Sequence, residues 1–165
     1  MIAVDAQTGV ERWRFDPGLP KDIQYSSSAS RGVSLWHGSA AVCPSRIFLG
    51  TLIGELIALD ALTGEPCSDF GVNGRVDLSK GAGSVELGEY SITSPPAILG
   101  DLVIVGSAIG DNRATDLERG IVRAIDAQTG SIQWLWDPIP KSTNDKAGAT
   151  WNGGSNPVSY THLRA

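Results

Sequence analysis

Three times along the chain a short apolar run gives way to one polar phrase, and a second run follows. Ile2–Val4, Leu56–Leu59 and Val122–Ile125 lead into Asp5-Ala6-Gln7-Thr8-Gly9, Asp60-Ala61-Leu62-Thr63-Gly64 and Asp126-Ala127-Gln128-Thr129-Gly130. Short apolar runs bounded by turn residues predict strands. Within the phrase the aspartate can hold an Asx-type turn and the glycine supplies a positive φ, so the chain reverses and a second strand returns. Trp13 and Trp134 each stand eight residues after their aspartate, where an indole can wedge between neighbouring sheets; the middle copy has Ser68 there, with Cys67 beside it. Packing explains both tryptophans, and neither is a site residue.

The aspartates are 55 and then 66 residues apart. That is too far for a two-helix repeat and suits a four-stranded propeller blade with insertions. The fold class expected is therefore all-β: a partial β-propeller of about two and a half four-stranded blades. A half blade runs from Ile2 to Asp16, a full blade from about Arg31 to Phe70, and a second from about Ile92 to Pro138. Strands in the last are expected near Ser94–Leu99, Leu102–Ala108, Ile121–Ile125 and Ile132–Trp136. Because Met1 opens in mid-repeat, the chain reads as a fragment of a longer protein.

Twenty glycines and nine prolines fit a turn-rich chain with little helix. A net charge of −5 without a Lys/Arg run argues against nucleic acid as a partner. No stretch reaches the roughly eighteen apolar residues of a membrane span, and the start lacks a signal-peptide pattern. Cys43 and Cys67 flank strands of one blade and could face each other, either as free thiols or as a disulfide. Spacing leaves both open. No Cys-x-x-Cys or paired histidine points to zinc, and His37, after Trp36, reads as a hydrogen-bonded surface residue.

Further phrases accompany the repeats: Ser30-Arg31-Gly32-Val33-Ser34-Leu35-Trp36, Cys43-Pro44-Ser45-Arg46-Ile47-Phe48, Thr93-Ser94-Pro95-Pro96, and Gly106-Ser107-Ala108-Ile109-Gly110-Asp111-Asn112. Over residues 2 to 156 the chain resembles the dehydrogenases that depend on pyrroloquinoline quinone (PQQ), in particular the membrane-bound glucose/quinate/shikimate branch. The resemblance implies a cofactor in the central funnel, a divalent cation (Ca²⁺ or Mg²⁺) at its edge, and hydride transfer from a sugar or polyol to PQQ. It also implies a periplasmic protein attached to the inner membrane and passing electrons to ubiquinone.

Residue by residue, the resemblance makes Arg31 the partner of the quinone's anionic edge, where a planar donor fork suits carboxylate and quinone oxygens. Thr93 is a hydrogen-bonding partner, and Ser107 to Gly110 is backbone passing close beneath the cofactor. Asp111 and Asn112 are the cation's oxygen ligands, the donor type a hard cation requires. Plainer readings stand beside these: an ion pair for Arg31, strand propensity for Thr93, a turn for Asp111-Asn112. Where related enzymes carry a cysteine pair or a histidine to stack on the cofactor, this chain has Tyr25, Ser26 and Ser27, and Tyr25 is the candidate replacement. The catalytic aspartate of the pattern falls beyond residue 156, so no catalytic residue is expected here. Residues 1–156 form the expected propeller domain; 157–165 leave the pattern and read as a non-family tail, an artefact. The rival from another class is a non-catalytic propeller of the same repeat, serving as a scaffold for protein contacts.

Overall fold

The computed structural model describes residues 1–109 and 118–138. Ten strands and no helix occur among them. β1 (Ile2–Val4) and β2 (Glu11–Arg14) form a hairpin. β3 (Ser34–His37), β4 (Ser45–Gly50), β5 (Glu55–Asp60) and β6 (Arg75–Asp77) make one antiparallel four-stranded sheet, and β7 (Ala97–Leu99), β8 (Leu102–Val105), β9 (Val122–Asp126) and β10 (Ile132–Trp136) make another. Each sheet is a meander with strands in sequence order, as in a propeller blade.

The repeated phrase forms the same turn three times. Asp5 Oδ1 accepts the N–H groups of Gln7 and Thr8 at 3.0 and 2.9 Å. Asp60 Oδ1 takes those of Leu62 and Thr63 at 2.8 and 3.0 Å, and Asp126 Oδ1 those of Gln128 and Thr129 at 3.0 and 2.7 Å. Gly9, Gly64 and Gly130 close the turns at φ 72°, 76° and 76°, a region open to glycine at no steric cost. These bonds favour the ionised carboxylate. Asp5, helped first by the Arg12 guanidinium, then by Thr8 and Gln7, has its pKa lowered to about 2. Burial pushes the Asp126 carboxyl up, but bonds from Thr129 and Gln128 and the charge of Arg46 outweigh it, and its pKa lies below the usual value.

Three strands differ from expectation, the simplest being β8, which ends at Val105 rather than Ala108, Ala108 instead bridging to Ser91. In the first full blade the chain returning from Asp60 makes a single bridge, Leu59 to Pro66, and the fourth strand forms later, at Arg75–Asp77, opposite Glu55–Ile57. Proline has no N–H for a ladder, and the excursion from Cys67 to Gly74 turns back through positive φ at Gly71, Asn73 and Gly74. The blade therefore ends at Asp77 rather than Phe70. In the second blade β7 starts at Ala97 rather than Ser94, because Pro95 and Pro96 cannot donate. Cys43 and Cys67, whose spacing allowed thiols or a bridge, are joined as a disulfide with Cα atoms 5.9 Å apart, which ties the start of the excursion to the loop before β4.

Successive sheets share one core. Phe48, Leu56 and Ala58 from the first and Val103, Val105 and Ile125 from the second pack in one cluster with Phe70, Tyr90 and Ile92; burying each large side chain contributes about 1.5–3 kcal/mol. β3 lies against β7, the one contact between named strands of different sheets among the described residues, so the first strand of each blade marks the side where blades converge. The joins repeat as well. Trp13 lies on Gly64 of the next blade, where a Cβ would collide with the indole, and its Nε1 donates to Ala61 O at 3.2 Å. At the following join the Cys67–Gly74 excursion takes the place of an indole: a Cβ on Gly130 would lie 2.7 Å from Gly71 N and 2.9 Å from Val76 Cγ2. The middle repeat can thus dispense with its tryptophan.

Candidate cofactor site

Arg31 and Thr93 each precede the first strand of a blade, and a hydrogen bond joins them: Arg31 N–H donates to Thr93 O at 2.8 Å. The two phrases that carry them interlock. Gly32 has φ 149°, and a Cβ there would stand 3.1 Å from Pro95 Cγ, so glycine lets the Arg-Gly-Val phrase lie on the Thr-Ser-Pro-Pro phrase. Ser34 Oγ donates across the same seam to Pro96 O. Arg31 is exposed and Thr93 is buried, at 8 % exposure. A largely apolar cavity of about 320 Å³, lined by Ser30, Gly32, Val33, Leu49 and Thr51 among others, lies on the first-blade side of this seam; neither Arg31 nor Thr93 lines it.

The segment before Thr93 is fixed residue by residue. Ser91 exchanges both backbone bonds with Ala108, at 2.9 and 2.8 Å, and Ile92 N–H donates to Thr51 O at 2.9 Å. Gly50 leaves room for Ile92, whose Cγ2 a Cβ would strike. The Ser91–Ala108 pairing brings Ser107 beside this segment. Its hydroxyl donates to Ile121 O at 3.1 Å. Ser91 itself is fully buried, and among the described residues its hydroxyl has no hydrogen-bond partner.

Of the residues singled out by sequence, Arg31 and Thr93 thus meet where two blades converge, while Ser107 lies next to the Ser91–Ala108 pairing with its hydroxyl turned to its own blade. Gly110, Asp111 and Asn112 lie outside the described residues. Among the described residues no three His, Cys, Asp or Glu side chains gather as a metal site. The Tyr25–Ser27 stretch is fastened close by: Ser26 N–H donates to Gly88 O at 3.0 Å, and the Tyr25 hydroxyl donates to Pro20 O at 2.7 Å. His37 is exposed, its Nδ1 2.8 Å from Ser45 Oγ, as a surface histidine should be.

Sequence reasoning missed two buried arginines. Arg46, fully buried on β4, donates to Val42 O, Cys43 O and Asp69 Oδ2 on its own blade and to Ala127 O and Gln128 O in the turn of the next. Arg123, on β9 and 2 % exposed, donates to the Tyr90 hydroxyl at 2.6 Å and to Lys80 O at 2.9 Å. A charged residue inside an otherwise apolar strand was the one signal available.

A hairpin and two meander sheets, the two sheets meeting at their first strands with a polar seam between them, define part of a β-propeller. The chain belongs to the PQQ family: the glucose/ethanol/alcohol dehydrogenase β-propeller domain matches residues 1–161. Quinoprotein glucose dehydrogenase A of Acinetobacter calcoaceticus is 33% identical over 152 residues, covering 83% of this chain and 19% of that protein. The quinate/shikimate dehydrogenase (quinone) of Acinetobacter baylyi is 34% identical over 158 residues, covering 84% and 19%. Among solved structures, the quinohemoprotein alcohol dehydrogenase of Comamonas testosteroni superposes with a TM-score of 0.65 at 28% identity, over 84% of this chain and 18% of that one. The chain thus spans about a fifth of the length of these relatives.

The residues present suit PQQ, a planar quinone bearing carboxylates. An arginine, a buried threonine and serines, and glycine-permitted close backbone approach occur at one seam, and the buried Ser91 hydroxyl there has no hydrogen-bond partner among the described residues.

Proposed function

We propose that this chain supplies one wall of the PQQ site of a quinoprotein dehydrogenase acting on a hydroxyl of a sugar or polyol. The observation that carries the reading is the backbone bond joining Arg31 to Thr93, with their two phrases interlocked where consecutive blades converge. Family membership and the names of the relatives support the reaction class. Bound PQQ would supply the two-electron acceptor chemistry, and the hydroxyl proton would go to a base expected beyond residue 156. Arg31 would hold the cofactor's anionic edge, Thr93 would hydrogen-bond it, and Ser107 to Gly110 would pass beneath it. Asp111 and Asn112 would contribute oxygens to Ca²⁺ or Mg²⁺, the remaining ligands coming from the cofactor and from other residues. The whole protein would work on the periplasmic side, attached to the inner membrane, with ubiquinone as electron acceptor.

The test is a titration of the full-length apo-protein with PQQ and with cation, reading dye reduction and cofactor absorbance. Arg31→Ala should raise the PQQ midpoint roughly ten- to a hundredfold, the range for loss of a charge-assisted hydrogen bond. Asp111→Ala should raise the cation midpoint. Unchanged midpoints in both variants would overturn the assignment.

A further inference from the structure

We infer that Arg123, acting through Tyr90, is a positioning residue for Thr93 and hence for the cofactor; this rests on the reading of the Arg31–Thr93 seam as part of the PQQ site. Tyr90 begins the four-residue segment Tyr90-Ser91-Ile92-Thr93, and it is held by a side chain from a different strand. Arg123 Nη1 donates to the Tyr90 hydroxyl at 2.6 Å, with Arg123 2 % and Tyr90 1 % exposed. The same guanidinium donates through Nη2 to Lys80 O at 2.9 Å, so it spans from β9 to the loop beyond β6. Gly54 makes room for the ring, since a Cβ there would stand 2.6 Å from Tyr90 Cδ1. A charged hydrogen bond in a water-excluded place is short, directional and costly to lose.

The residues after Tyr90 have little freedom. Ser91 is paired to Ala108, Ile92 is seated on Gly50, and Thr93 O receives the Arg31 N–H. No described residue hydrogen-bonds the buried Ser91 hydroxyl, so that side chain does not fix the segment; Arg123–Tyr90 is the charged anchor at its start. A ring shift there would be passed along the pinned segment to Thr93.

The test is a double-mutant cycle in the full-length protein, with PQQ affinity measured by equilibrium titration of cofactor absorbance and with apo-protein thermal unfolding in parallel. Tyr90→Phe keeps the ring and deletes the hydroxyl; it should weaken PQQ binding by about fivefold. Combined with Thr93→Ala, it should add almost nothing to the loss Thr93→Ala causes alone, because both changes act on the same contact. Arg123→Lys, which keeps a charge near the hydroxyl, should recover part of the affinity lost in Arg123→Met, whereas Arg46→Met should lower thermal stability and leave PQQ affinity unchanged. Additive losses, or an affinity in Tyr90→Phe equal to wild type while Thr93→Ala is weakened, would overturn the positioning role. If Tyr90→Phe fails to fold, the Arg123→Lys and Arg123→Met pair decides the same question. No effect of Thr93→Ala would instead remove the cofactor reading on which the inference stands.

Discussion

Arg46 contains the largest single concentration of polar contacts described in the fold. Its guanidinium has no exposed surface, yet five hydrogen bonds and the face of Trp36, 5.6 Å from Cζ, occupy it. Two of those bonds, at 3.1 and 2.7 Å, reach carbonyls in the Asp126 turn of the following blade. Arg46→Met would fill much of the same volume while leaving Asp69 and the carbonyls without their donor. Asp69 keeps a third of its side-chain surface exposed, so its share of the loss is reduced by solvent; the buried bond to Ala127 O is not so compensated. The expected destabilisation is about 2–4 kcal/mol by urea unfolding, larger than for a typical substitution. A change under about 0.5 kcal/mol would mean the contacts break even with desolvation. None of this could be read from sequence, because the partners come from three separated stretches, 42–43, 69 and 127–128. Ser91 escaped for a related reason. A serine in a strand looks ordinary until its burial is known.

At the scale of the element, the Asp-Ala-x-Thr-Gly turn was legible because all of its chemistry is local: the aspartate, its two N–H partners and the glycine lie within five residues. The fourth strand of the first full blade was not. Its position depends on Pro66, on the Cys43–Cys67 bridge and on an excursion whose packing against Gly130 replaces the missing tryptophan. Asp126 offers a test of the turn itself. Its folded pKa lies below that of an unfolded aspartate, about 3.9. Its ionisation therefore adds stability that is fully present above pH 4 and is lost as pH falls through the depressed value. Asn can accept the same two N–H bonds but does not titrate. Asp126→Asn should therefore flatten the acid limb of a stability-against-pH curve below about pH 4, while changing stability less at pH 7 than Asp126→Ala. An acid limb of unchanged steepness would show that Asp126 is not linked to folding.

At the scale of the whole molecule, repetition made the architecture legible, while the site was legible only as far as neighbouring blades build it. Arg31 and Thr93 belong to adjacent blades, and a ligand at their seam is faced from one side by what this chain provides. Binding sites for small molecules enclose most of the ligand surface, roughly 70–90 %, and a cation such as Ca²⁺ takes six to eight oxygens. Asp111 and Asn112 could supply at most a few of these. The sheets also leave apolar surface open: Trp134 is 43 % exposed, and Ile132, Leu135 and Trp136 lie beside it on β10. Trp134 occupies the repeat position that Trp13 fills, and Trp13 is covered by Gly64 of the next blade. The 165-residue chain, assayed alone with PQQ and Ca²⁺ at saturating sugar, should therefore reduce dye no faster than the same mixture without protein. A full-length quinoprotein dehydrogenase assayed beside it as a control should turn over. Dye reduction by the purified chain, dependent on both PQQ and cation and abolished by Arg31→Ala, would mean that two blades and a hairpin suffice, and the one-wall description of the site would have to be given up.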